Sequence, residues 1–256
     1  MDLGITGRRA LVMGASRGLG RAIAEGLLAE GVAVTAVARN AEAIEAWGGG
    51  IAGLTAVSAD LSDVATIDAL ADRLLADGGV DILVNNSGGP PPGPAASVAR
   101  GIWLAQFETM AANLFHLTGR LLPPMRERRW GRVVTVASSG VEQPIANLAL
   151  SNGIRAAVVG WSKTLAGEVA GDGVTVNVVL PGRIETTRLA ELDAANATRS
   201  GTSVEAVQKA SIAAIPAGRY GQPAEFAAAV VFLASQQASY VTGTKLRVDG
   251  GATRAI

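Results

Sequence analysis

Short runs of Val, Leu, Ile and Ala alternate with longer amphipathic stretches along the whole chain, and few folds accept that pattern. The runs at 9–13, 32–37, 54–58, 81–85, 132–137 and 174–180 are near-continuously apolar, as strands covered on both faces are, which predicts parallel pairing, and a short last strand is expected over 245–248. Between them the period changes to that of a helix. Leu19, Ile23, Leu27 and Leu28 share one face of a helix expected over 18–30, which Gly31 ends. Further helices are expected over 64–76, 103–125, 148–170 and 223–234, the last opened by Pro223. Strands and helices in alternation, joined by right-handed crossovers, give a single-domain α/β fold over 1–256. It is a Rossmann-type, doubly wound parallel sheet of about seven strands flanked by helices. The least periodic stretch, 186–216, with one helix expected over 203–212, has the length of a substrate lid.

Between the first strand and the first helix stands Gly14-Ala15-Ser16-Arg17-Gly18-Leu19-Gly20. A pyrophosphate can reach main-chain N–H groups and the positive end of a helix only where side chains are absent, so a turn of this composition in this place predicts a dinucleotide site. The spacing is G-x-x-x-G-x-G. The second strand ends at Val37-Ala38-Arg39-Asn40, where an acidic residue would accept hydrogen bonds from the ribose of NAD. Ala38 offers none, whereas Arg39 and Arg17 could hold a 2′-phosphate, so NADP(H) is expected over NAD(H).

Composition removes other classes. Lysine plus arginine (22) equals aspartate plus glutamate (22), which gives no support for a nucleic-acid or anionic-membrane partner. The chain has no cysteine and a single histidine, so disulfides, a cysteine nucleophile and a metal site are not expected. No run approaches the roughly 18 apolar residues of a membrane helix, and residues 1–9 do not resemble a signal peptide. A cytoplasmic protein is expected.

At this point the sequence resembles the short-chain dehydrogenase/reductase family, in particular its 3-oxoacyl-acyl-carrier-protein reductase branch, over its whole length. Beside the glycine turn, the likeness is carried by Asp60-Leu61, Asn85-Asn86-Ser87-Gly88, Asn113, Ser138, Pro181-Gly182-Arg183-Ile184-Glu185-Thr186, Arg219-Tyr220-Gly221-Gln222-Pro223 and Val248-Asp249-Gly250-Gly251. The resemblance implies that Asp60 and Leu61 meet the adenine. It implies that Asn86, Ser87, Gly88, Pro181, Gly182, Ile184 and Thr186 meet the rest of the cofactor, and that Ser138 and Asn113 are catalytic. It also implies a homo-oligomer, a tetramer or a dimer, paired through the long helices.

One part of that pattern is absent. The family's Tyr-x-x-x-Lys pair begins thirteen residues after its serine, and here that position is Ser151, followed four residues on by Arg155. A phenol lowered from a pKa of about 10 can donate a proton near neutrality, whereas a serine hydroxyl is a far weaker and shorter acid. Arg155 could still hold ribose hydroxyls and supply positive charge, but it does not deprotonate. Three replacements for the acid are open: Arg155 with Ser138, a water held by Ser151 and Asn113, or His116 one turn beyond Asn113. Glu142 and Gln143 follow Ser138 in a loop that the family turns to substrate. Arg183 and Arg188 flank the lid and, with Arg155, could bind a carboxylate or phosphate. The expected function is an NADP(H)-dependent oxidoreductase interconverting a carbonyl and an alcohol on a small, possibly anionic substrate, with Ser138, Asn113, Arg155 and Ser151 as its catalytic set. A dinucleotide-binding pseudoenzyme or sensor, and a non-redox enzyme on the same scaffold, are the alternatives.

Overall fold

Strands β1 (Arg9–Met13), β2 (Ala33–Ala38), β3 (Leu54–Ser58), β4 (Ile82–Asn85), β5 (Gly131–Val136), β6 (Val174–Pro181) and β7 (Lys245–Val248) lie in one sheet, within one residue of the expected runs at most ends. The computed structural model describes residues 2–255. The order is β3-β2-β1-β4-β5-β6-β7, and each neighbouring pair is parallel. The central strands β4 and β5 are buried at every residue, which explains why their sequences show no period of two.

Helices cover both faces. On one face α1 (Gly18–Ala29), α2 (Glu42–Gly48) and α9 (Pro223–Leu233) place Ile23, Leu27, Ile44, Phe226 and Val230 in a common core with β1, β2 and β4. On the other, α3 (Val64–Ala76), α5 (Asn113–Glu127) and α6 (Ala149–Val169) bring Ile67, Leu70, Leu117, Leu121 and Val169 against Leu11, Leu83 and Val133. Leu117 and Leu121 are fully buried. Shortening either to Ala is expected to cost about 2–5 kcal/mol, a large share of the roughly 5–15 kcal/mol that holds a domain folded.

Two helices were not expected. α2 is a seven-residue helix between β2 and β3, too short to show a period. α7 (Thr187–Ser200) fills the segment read as aperiodic, and α8 (Val204–Ala213) follows it close to the expected 203–212. The long helix expected over 103–125 is three pieces: α4 (Arg100–Phe107), a π turn (Glu108–Ala112), and α5.

β1 has β2 on one side and β4 on the other, so successive crossovers leave it in opposite directions. Such a reversal opens a crevice beyond the carboxyl ends of the strands, the usual ligand site of a doubly wound sheet.

Candidate active site

A cleft of about 1330 Å³ lies at that edge, lined by the ends of β1, β2, β4, β5 and β6 and roofed by α7 and α8. Its floor is the turn between β1 and α1. Gly14 (φ +64°) and Gly18 (φ +57°) have left-handed backbone that favours glycine. A Cβ on Gly14 would lie 2.6 Å from the carbonyl oxygen of Asn86, and one on Gly20 would press into the carbonyl of Gly14. The Asn86 amide donates to that same Gly14 carbonyl at 3.3 Å, tying β4 to the turn. No side chain caps the first amides of α1. With no space for a side chain at Gly14 or Gly20 and no side chain capping the first amides of α1, the turn fits the diphosphate of a dinucleotide.

At the β2 end of the cleft, Ala38 is buried and Arg39 exposed. Among the described residues no carboxylate lies within 4 Å of the Arg39 guanidinium. Asp60 does not face an open ligand site with both oxygens free: its Oδ1 accepts from the Ser62 N–H at 2.9 Å and the Ser62 hydroxyl at 2.8 Å. Those bonds, with Arg39 nearby, hold its carboxyl below the usual range. Leu61 lines the cleft beside it. Arg17, in extended conformation ahead of α1, reaches across to Glu191 on α7, with Nη1 3.2 Å from Oε1.

At the opposite end, Ser138, Ser151 and Arg155 line the same cleft as Ser87, Gly88, Pro181, Gly182, Ile184 and Thr186. Gly182 allows close approach of the chain after β7, since a Cβ there would sit 2.6 Å from Asp249 Cα. Thr186 caps α7, its hydroxyl accepting from the Leu189 N–H at 3.3 Å. Ser138 caps the short turn Ser139–Val141, accepting from the Gly140 N–H at 3.1 Å. Ser151 and Arg155 lie one helical turn apart on α6 and are each 8% exposed. The Arg155 guanidinium donates to the Val136 carbonyl at 2.6 Å and to the Gly88 carbonyl, joining the end of β5 to the loop after β4. Burial, and then the charge of Arg188, bring it down to about 10.

Several candidates stand elsewhere. Asn113 opens α5 directly after the π turn, but its amide donates to the Leu61 carbonyl at 2.7 Å and the residue does not line the cleft. It ties α5 to the loop beyond β3, so a water shared by Ser151 and Asn113 side chains has no support. His116 lies on the outer side, half exposed, with Nε2 2.7 Å from Asp68 on α3, which removes it as the proton donor. Glu142 turns to β7, paired with Lys245 at 2.8 Å, while its neighbour Gln143 does line the cleft. Tyr240 is fully exposed. Trp103 packs on Gly153 of α6, whereas Phe107 is exposed.

Arg183 is occupied. Its Nη1 lies 2.8 Å from Asp193, a fully buried carboxylate of α7 that also accepts from the Tyr220 hydroxyl at 2.9 Å. Burial and that carboxylate raise the phenol's pKa. Arg188, by contrast, reaches into the cleft and donates to the Pro90 carbonyl at 2.7 Å. Asp193 and Glu191 were not singled out from the sequence. The signal was present in the pair that delimits α7, Thr186 at its start and Gly201 (φ +64°) at its end.

A family model described as enoyl-(acyl carrier protein) reductase matches residues 14–253. The 3-oxoacyl-acyl-carrier-protein reductase FabG of Salmonella typhimurium is 39% identical over 249 residues, covering 96% of this chain and 97% of its own. The crystal structure of L-sorbose reductase from Gluconobacter frateurii, complexed with NADPH and L-sorbose, superposes with a TM-score of 0.92 at 32% identity, covering all of both chains. An actinorhodin polyketide ketoreductase variant with NADPH superposes with a TM-score of 0.91 at 35% identity, over 97% of this chain and 98% of the other.

Proposed function

The chain belongs to the short-chain dehydrogenase/reductase family, as an oxidoreductase of carbonyls and alcohols, and from that premise we propose that it uses NADP(H) on a small substrate through an atypical active site. The observation that carries this reading is the continuity of one cleft from the bare amides of turn 14–20 to Ser138, Ser151 and Arg155.

The diphosphate would rest on the amides of the turn and the start of α1. Arg39 and Arg17 would take a 2′-phosphate beyond Ala38, with Asp60 and Leu61 at the adenine. Asn86, Ser87, Gly88, Pro181, Gly182, Ile184 and Thr186 would hold the other half. The bound nicotinamide supplies or accepts a hydride at the substrate carbon. The charge that then develops on the substrate oxygen calls for donors fixed in advance, and Ser138 and Arg155 are donors at that end of the cleft. Ser151 is too short to replace a phenol, so the proton comes from water in the space it leaves. Segment 186–216, as α7 and α8, acts as the lid of one domain spanning 1–256. A cytoplasmic homo-oligomer, dimer or tetramer, fits the family and the exposed Ile102, Leu104 and Phe107 of α4.

A second reading has one observation in its favour. Arg155 spends two of its donors on main-chain carbonyls, as a purely structural staple would, and a dinucleotide-binding protein without turnover would need no more. Fluorescence titration with NADPH and NADH, followed by a carbonyl screen for NADPH oxidation, separates the two. The reductase reading expects tighter NADPH binding and turnover that falls in Arg155→Ala. Binding without turnover, with activity appearing only in Ser151→Tyr/Arg155→Lys, would establish the second.

A further inference from the structure

We propose that the substrate is a short oxo acid whose carboxylate is received by Arg188 on α7, beside Arg155; this rests on the reductase reading above. The reaction would be an oxo acid plus NADPH and one proton giving the hydroxy acid and NADP⁺, the hydride going to carbon and the proton to oxygen.

The chain is electrically balanced, with 22 basic and 22 acidic residues, but its cleft is not. Among the described residues, Arg17, Arg39, Arg155, Arg183, Arg188 and Arg199 line it against Asp60 and Glu191, six positive charges to two negative. Arg17 and Arg39 stand at the phosphate end, and Asp193 neutralises Arg183. The excess therefore rests on Arg155, Arg188 and Arg199, and of these Arg199 bonds to its own helix through the Asn196 side chain, which leaves Arg155 and Arg188 on the loop after β4. A cleft lined by one sign of charge concentrates ligands of the other.

The chain shows elsewhere how it settles a buried guanidinium that needs no ligand. Arg132 is 1% exposed, stacks 4.3 Å from the centre of the Trp130 ring, and donates to the carbonyls of Ser235 at 3.0 Å and Gly131 at 2.8 Å. Arg155 has two carbonyls but, among the described residues, neither an aromatic face nor a carboxylate within 4 Å, and it opens on the cleft.

Arg188 stands on the other side of the same loop. Arg155 holds the carbonyl of Gly88 and Arg188 that of Pro90, so helices α6 and α7 bring two guanidinium groups onto three consecutive residues. Among the described residues the only carboxylate within 4 Å of the Arg188 guanidinium is that of Glu191, at 3.6 Å from Nη1, too long for a hydrogen bond and shared with Arg17. A substrate carboxylate can make the short contact that Glu191 does not. Arg155 would then lie by the oxo group and Arg188 by the acid.

The test is calorimetric titration of malonate, an unreactive dicarboxylate, into protein saturated with NADPH. Turnover of pyruvate and acetoacetate is measured alongside, each against its methyl ester. The expected results are malonate binding that Arg188→Met weakens about tenfold or more, partial recovery in Arg188→Lys, and an acid-over-ester preference in kcat/KM that disappears in Arg188→Met. NADPH binding and circular dichroism check that the variants fold. Equal use of acids and esters, or malonate binding indifferent to Arg188, overturns the proposal while the reductase reading stands. Malonate binding that depends on Arg188, with no carbonyl reduced, upholds the anion site and defeats the reductase reading. Inorganic phosphate binding more tightly than malonate overturns the carboxylate assignment.

Discussion

At the glycine-turn end of the cleft the groups on offer are main-chain amides, whereas at the other end they are side chains held by main-chain carbonyls and amides. The first region is defined by what cannot be there: added Cβ atoms at Gly14 and Gly20 run into the carbonyls of Asn86 and Gly14. The second is defined by what is there, Arg155 on two carbonyls, Ser138 capping a turn, Arg188 on the loop after β4. A backbone site tolerates almost no change, while a side-chain site can exchange its chemistry and keep its shape. That difference explains how one chain can retain every glycine of the turn and carry Ser151 and Arg155 where relatives in its family are expected to have tyrosine and lysine.

The contrast can be broken most directly at Gly20. Gly20→Val is expected to abolish NADPH binding in a fluorescence titration and to lower the melting temperature, since overlap with the Gly14 carbonyl cannot relax without moving β1; a loss above about 3 kcal/mol is expected. Unchanged NADPH affinity would mean that the turn does not hold the diphosphate. Next in size is Arg155→Met. Losing a donor to the developing oxyanion should lower kcat/KM about 10²–10³-fold, with NADPH affinity changed far less. The same residue sets the expected pH profile. Burial lowers the pKa of Arg155 to about 10, still well above neutrality, so the group keeps its charge over the working range. Reduction should therefore stay flat from about pH 6 to 8, with no limb from a tyrosine acid.

Ser151→Tyr/Arg155→Lys sharpens the comparison from the other side. A transplanted acid should raise kcat about tenfold or more, short of the full 10²–10⁴-fold that a positioned acid can contribute. The smallest effect is expected at Arg39→Ala. It should lower the preference for NADPH over NADH by about five- to tenfold, the size of one exposed charge-assisted contact, and by less at high salt.

The strands, their parallel pairing and the glycine turn were legible because each follows from local constraint. A strand buried on both faces must be apolar throughout, and a turn that admits a diphosphate must be bare. Arg183 and Asn113 were harder to read, because their partners lie on other elements. Nothing within the stretch from Pro181 to Thr186 signals that Asp193, ten residues beyond Arg183, is buried and takes its charge. Nothing around Asn113 shows that its amide meets Leu61, 52 residues earlier. His116 was placed correctly one turn from Asn113, but the intervening contact with Asp68 depends on how α3 and α5 cross. The helix α7 escaped notice because its sequence is polar. Its buried positions are Leu189, Asp193 and Ala197, four apart, with an acid in the middle of the stripe.

The π turn at Glu108–Ala112 has a consequence for how this chain can change. It spends one residue more than a regular turn, so the segment before it is phased about 100° around the axis from where an unbroken helix would put it. Ile102, Leu104 and Phe107 are exposed on that segment. Deleting one amino acid between 108 and 112 would turn α4 by about that angle relative to α5. One codon thus separates this surface from a differently facing one.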